Sequence, residues 1–221
     1  MSWRSYEKAP DEGDKNLFQC QGYLRDALIR GADGSELPVE ELPPFLRALL
    51  VTDGTVTKIL EAYFWEPVEV VTLQQELVCA ERPIDWIRVD TGDPVLIRRA
   101  RLSGTASASL YATASSVIRP ALIPESFRQR LIDREIGIGV LIRDTGLESY
   151  REVLNVGIEP RGGGGGANLA EQSDLVFRTY RIIIDGEPVI LITESFPLDL
   201  YTGAAMERRH GGGRGGTGCG G

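Results

Sequence analysis

Histidine is almost missing from this 221-residue chain, which has a single one at position 210. One histidine at that position argues against a histidine-dependent catalytic triad and against a multi-histidine metal site. Cysteine is nearly as scarce. Cys20, Cys79 and Cys219 are far apart, odd in number and without a CxxC pair, so no disulfide framework is expected, and a reducing cytoplasm fits. Cys79, within Leu77-Val-Cys-Ala, reads as a small buried hydrophobe. No stretch approaches the roughly 20 apolar residues needed to span a bilayer. The start, Met1 to Lys8, runs into Asp11-Glu-Gly-Asp-Lys15 without an apolar h-region, so no secretory signal is expected. Positive charge is in deficit. There are 24 Lys+Arg against 32 Asp+Glu, a net charge of −8, which argues against non-specific binding to a phosphate backbone.

What is present is enough for one good-sized domain with a real core, since 42% of the residues are hydrophobic. Glycine is unevenly spread: of 26, five form Gly162–Gly166 and eight lie in 211–221. The first run has no GK[ST] and no strong helix after it, so 159–173 reads as a flexible loop and not as a phosphate cradle. The second makes 202–221 a disordered tail, with three arginines and no intervening Phe or Tyr to bind nucleic acid. Residues 1–38 form an N-terminal extension, with one helical candidate at Phe18–Ile29, and 39–201 form the domain. Within it, helices are predicted at Pro43–Val51, Val56–Phe64 and Pro124–Arg134. Asp53 or Thr55 is placed to cap the second. Six strands are predicted, at Val68–Cys79, Val95–Ser103, Ser109–Ile118, Ser149–Gly157, Leu175–Ile184 and Pro188–Phe196, the last two joined by the hairpin signal Asp185-Gly186. Gly137–Ile142 reads only as a short apolar segment. No βαβ alternation runs through the chain, so the expected fold is α+β, a single antiparallel sheet of about six strands with helices packed against it.

Two charged residues interrupt apolar strand faces. Alternation puts Arg98 on one face with Leu96, Ala100 and Leu102, while Arg99 and Arg101 share the other, wetter face. A buried guanidinium must meet an anion, either a structural carboxylate or the carboxylate of a substrate, gripped bidentately. Glu194 lies on the face of Ile190 and Ile192. A carboxylate there is desolvated, with a raised pKa unless a cation answers it, which makes it a candidate acid, base or hydrogen-bond acceptor. Arg98 and Glu194 either pair with each other or face one cavity from opposite ends. Arg151, in Glu148-Ser-Tyr-Arg-Glu152, reads by itself as part of a surface salt-bridge cluster.

An ordered set of segments resembles the chorismate pyruvate-lyases. These are Leu50-Val-Thr-Asp-Gly-Thr-Val-Thr-Lys-Ile-Leu60, Leu96-Ile-Arg-Arg-Ala-Arg-Leu102, Ala112–Pro120, Ile138-Gly-Val-Leu141, Tyr150-Arg-Glu-Val153 and Ile192-Thr-Glu-Ser-Phe-Pro-Leu-Asp-Leu-Tyr201. Asp53–Pro67 is especially like the bacterial branch distinct from the ubiquinone-pathway enzyme. The resemblance implies an antiparallel sheet backed by helices, an enclosed ligand cavity, and removal of pyruvate from chorismate to leave 4-hydroxybenzoate, without metal or organic cofactor. It puts the ring-carboxylate arginine on Arg98, the glutamate near the ring hydroxyl on Glu194, and apolar cavity positions near Val56 and Ile138, with Gly139 adjoining. Arg151 is then a candidate for the enolpyruvyl carboxylate. The expected partner is a small-molecule carboxylate, with no nucleic acid and no membrane, bound by a cytoplasmic monomer. Two further readings are an enzyme of specialised metabolism acting on another substrate and a non-catalytic, effector-sensing module. Such modules normally follow a DNA-binding winged helix, for which residues 1–40 are too short and too acidic.

Overall fold

In a computed structural model, residues 28–31, 34, 36–132, 137–159 and 174–202 are described. The elements run β1 (Leu28–Arg30), β2 (Glu36–Pro38), α1 (Pro44–Val51), α2 (Val56–Phe64), β3 (Val68–Cys79), β4 (Pro94–Gly104) and β5 (Leu110–Ile118). They continue with α3 (Glu125–Ile132), α4 (Ile138–Thr145), β6 (Ser149–Glu159), β7 (Leu175–Ile184), β8 (Glu187–Pro197) and α5 (Leu198–Tyr201). The main sheet has the order β3-β4-β5-β8-β7-β6, every neighbouring pair antiparallel. All six expected strands are present, and the fold is the expected α+β sheet backed by helices. The tight turn between β7 and β8 uses positive φ at both Asp185 and Gly186, the conformation that an Asp-Gly hairpin supplies.

Two apolar clusters lie under helices on one face of this sheet. Leu46, Leu49 and Leu50 of α1 and Leu60 of α2 pack on Leu102 and Phe196. Phe127 and Leu131 of α3, with Leu141 of α4, pack on Ile118, Ile182 and Ile190. Each of these side chains is buried, and truncation of such a leucine to alanine costs about 2–5 kcal/mol. A third cluster uses the other face, where Ile84, Trp86 and Ile87 cover Val95, Ile97 and Leu191. Among the described residues that face is therefore covered on one side only, and Arg99 and Arg101 are exposed on the remainder, as alternation predicts.

Several local expectations change. Leu28 and Ile29, the end of the helical candidate Phe18–Ile29, belong to β1, where Ile29 pairs with Leu37 and is fully buried in the cluster under α1 and α2. Tertiary burial overrides local helical periodicity there; residues 18–27 lie outside the described residues. Gly137–Ile142 is the start of helix α4, and its apolar residues Ile138, Leu141 and Ile142 fall on the buried side. Cys79 is exposed, because it ends an edge strand and alternation turns it away from the buried Ala80. Thr55 does occupy the N-cap of α2, but no side chain caps it; Thr52 Oγ1 instead accepts the Gly54 N–H at 3.0 Å. Most of the expected glycine-rich loop, 160–173, and of the tail, 203–221, lies outside the described residues.

Candidate active site

Between the two helix-covered clusters the sheet carries short side chains, and the missing bulk opens a cavity. Its space, with the open mouth and the solvent in it included, amounts to about 610 Å³. The register explains the floor. Arg98 on β4 faces Ser116 on β5, which faces Ile192 on β8, which faces Tyr180 on β7. One row along, Ala100 faces Ala114, which faces Glu194, which faces Arg178. Ala100, Ala114 and Ser116 thus separate two charged ends, Arg98 and Glu194, whose strands are two spacings, or roughly 10 Å, apart.

Every residue singled out from sequence lines this cavity: Arg98, Arg151, Glu194, Val56, Ile138 and Gly139. Arg98 is 4% exposed, and its Nη2 donates to Thr72 Oγ1 at 2.8 Å. Burial pulls its pKa down from the ordinary guanidinium value. Glu194 is 8% exposed, and the cation that answers it is Arg178, not Arg98. Arg178 Nε donates to Glu194 Oε2 at 2.9 Å, and its Nη2 lies 2.9 Å from the same oxygen. Tyr180 donates its hydroxyl to Oε1 at 3.1 Å. Burial, and then the Glu194 charge, push the Tyr180 hydroxyl far above its ordinary pKa, so it stays a donor. Arg151 sits at the cavity wall, its Nη1 donating to the Asp53 carbonyl at 2.6 Å; among the described residues the ion pair of that stretch is made by Glu152 with Arg181.

The roof is made by two helix starts. Gly54–Thr57, leading into α2, and Gly137–Val140, opening α4, both line the cavity, and neither N-cap is closed by a side-chain hydrogen bond. They approach closely because residue 139 is glycine: a Cβ there would lie 3.2 Å from Thr55 Cγ2. Open first turns carry unpaired N–H groups and the positive end of the helix dipole, which suit an anion. With Arg98 and Arg151 they gather local positive potential within a chain of net charge −8.

Arg178 and Tyr180 are the site residues that the sequence argument misses. The signal is present: Val176, Arg178, Tyr180 and Ile182 share a buried face of β7, so the reasoning applied to Arg98 and Glu194 reaches Arg178 as well. No helix among the described residues is long and apolar enough to cross a membrane.

The site residues fall in a stretch with clear relatives. Residues 50–203 match the family described as chorismate pyruvate-lyase Rv2949c-like. The chorismate pyruvate-lyase of Mycobacterium leprae is 31% identical over 175 residues, which cover 76% of this chain and 81% of that one. The enzyme of the same name from Mycobacterium tuberculosis is 25% identical over 181 residues, covering 78% and 89%. Among solved structures, PhnF from Mycobacterium smegmatis superposes with a TM-score of 0.51 at 12% identity, covering 67% of this chain and 66% of that one; this likeness concerns the fold alone.

Proposed function

The chain belongs to the Rv2949c-like chorismate pyruvate-lyase family, and from that premise we propose that it eliminates pyruvate from chorismate to give 4-hydroxybenzoate, using no metal or organic cofactor. The observation that carries this reading is the pairing of a buried arginine with a buried, cation-held glutamate at opposite ends of one cavity floored by small residues.

In this reading Arg98 grips the ring carboxylate and Glu194 meets the C4 hydroxyl. The carboxylate has accepted bonds from Arg178 and Tyr180, and its remaining acceptor capacity suits a neutral hydroxyl donor. Arg151 and the open first turns of α2 and α4 receive the enolpyruvyl carboxylate. Val56, Ile138, Ile182 and Ile192 exclude water around the ring. The chemistry is balanced within the substrate. The C4 proton is lost, its bonding pair enters the ring, and the C3–O bond breaks. The departing enolpyruvate gains a proton at its methylene carbon and becomes pyruvate. Aromatisation drives the step, so the protein's contribution is to hold a dianion in one geometry and to stabilise charge developing on the ether oxygen and the ring hydroxyl. Glu194 either relays the proton or orients the hydroxyl while the proton passes directly to the leaving group. The protein works as a cytoplasmic monomer, without nucleic-acid or membrane partners.

Purified protein mixed with chorismate is expected to release pyruvate and 4-hydroxybenzoate in equal amounts, with activity surviving exhaustive EDTA treatment. Folded protein that leaves chorismate intact would reject the reaction. Tight binding of the ligand without turnover would point to an effector-sensing module, and turnover of a different carboxylate to a related enzyme. Glu194→Gln is expected to lower kcat by roughly 100-fold, the scale of losing one group that meets developing charge.

A further inference from the structure

The loop that delivers α2 to the cavity is held by the sheet through arginine bonds to backbone carbonyls. Arg151 takes the Asp53 carbonyl, and Arg178 Nη1 donates to the Thr52 carbonyl at 2.7 Å. The second bond is the informative one, because the same guanidinium holds Glu194 through Nε. Arg178 is 1% exposed, and its guanidinium carbon lies 4.7 Å from the centre of the Tyr180 ring, so its plane is fixed by packing as well as by bonds. The far end of α2 is anchored separately, by stacking of Phe64 on Tyr111 with ring centres 3.9 Å apart. The near end has no side-chain cap of its own.

We propose that Arg178 is a positioning residue that sets the Glu194 carboxylate and the first turn of α2 as a single unit. A planar fork with fixed angles between its N–H groups can serve an acceptor on the sheet and another on the loop at once; a lysine ammonium, a point charge on a flexible stem, can answer the carboxylate but does not impose that geometry. The Glu194 end of the floor and the α2 part of the roof are therefore registered against each other by one side chain that does not line the cavity. The catalytic half of this inference rests on the reading of Glu194 as the group that meets the ligand hydroxyl; the mechanical half does not.

Amide hydrogen exchange in the ligand-free protein tests the mechanical half. The Lys58 and Ile59 amides, which donate to the Thr55 carbonyl in the first turn of α2, are the reporters. Glu194→Gln, an isosteric change that does not touch the loop, is expected to raise their exchange about tenfold by loosening Arg178, and Arg178→Lys to do so at least equally. Arg99→Gln, on the other face, leaves them unchanged. Wild-type exchange in Glu194→Gln overturns the proposal whether or not Arg178→Lys folds. Kinetics test the catalytic half. Arg178→Lys should lower kcat per folded site by about tenfold, with KM within about threefold. In the Glu194→Gln background it should add little, since a residue acting through another is non-additive with it. Additive losses in that cycle, or a wild-type kcat, overturn it. A protein that shows the exchange pattern but releases no pyruvate keeps the mechanical coupling and loses the proposed reaction.

Discussion

Arg98 and Arg99 are consecutive on one strand and have opposite environments, and the contrast extends to the two faces of the sheet. On the helix-covered face, Arg98, Arg178 and Glu194 are all buried, each within hydrogen-bonding reach of a named partner. On the other face Arg99 and Arg101 are exposed; a cluster of apolar side chains covers only the part of that face around Val95 and Ile97. Chemically identical side chains thus differ in consequence by location. Charge placed where water is excluded must be bonded and aimed, and it is the covered face that holds the cavity. Charge left in water keeps its solvation and constrains little.

The largest break in this contrast is expected from Arg178→Met, which leaves Glu194 buried without its cation. Removing one member of a buried pair costs about 3–5 kcal/mol, measurable as a lower urea midpoint at unchanged slope. A loss under about 1 kcal/mol would show that water reaches the pair. Next comes Arg98→Ala, at the opposite end of the cavity. Loss of a charge-assisted grip on a carboxylate is worth about 1.5–3 kcal/mol, read as a KM raised by roughly tenfold or more with a smaller change in kcat.

A smaller effect is expected at the sheet's end, where Glu66 binds the turn between β4 and β5. Its carboxylate accepts the Ala106 and Ser107 amides, each at 2.9 Å, and the Tyr111 hydroxyl. Burial raises its pKa, but these hydrogen bonds outweigh burial and hold it at about 2 against an ordinary 4.5. A depressed folded-state pKa stabilises the fold above 4.5, and the contribution fades as pH falls toward 2. The melting temperatures of wild type and Glu66→Gln should therefore differ at neutral pH and converge on acidification through that window. A constant gap would contradict the assignment. Smallest of all, Arg99→Gln and Arg101→Gln should each change stability by less than about 0.5 kcal/mol and leave kcat unaltered. A substantial loss of activity in either would mean that the second face contributes to function.

Much of the architecture is written locally. Strand periods, the Asp185-Gly186 turn and the helix starts near Pro44 and Val56 follow from side-chain alternation, positive φ and proline placement, so they can be read without the fold. Arg98 and Glu194 are visible for the same reason: a charge inside an apolar alternation is a local anomaly. Arg178 carries a similar anomaly in Val176-Phe-Arg-Thr-Tyr180, but nothing local says which carboxylate it meets. Leu28 and Ile29 mislead because helical spacing over a short stretch also fits a strand whose side chain is captured by distant helices. Cys79 misleads because an apolar run does not say that its last residue sits on an open sheet edge.

Sequence by itself determined the six strands of the main sheet, the two charges that need partners, the scarcity of histidine and cysteine, and the likeness to one family. The tertiary structure decided the pairing. It gave Glu194 to Arg178, left Arg98 at the far end of a cavity, and brought two helix starts over a floor of alanine and serine. The physical reason is range. Backbone preference and alternation act over a few residues, whereas the partner of a buried charge is chosen by which strands lie side by side, and that is settled only when the whole sheet has closed.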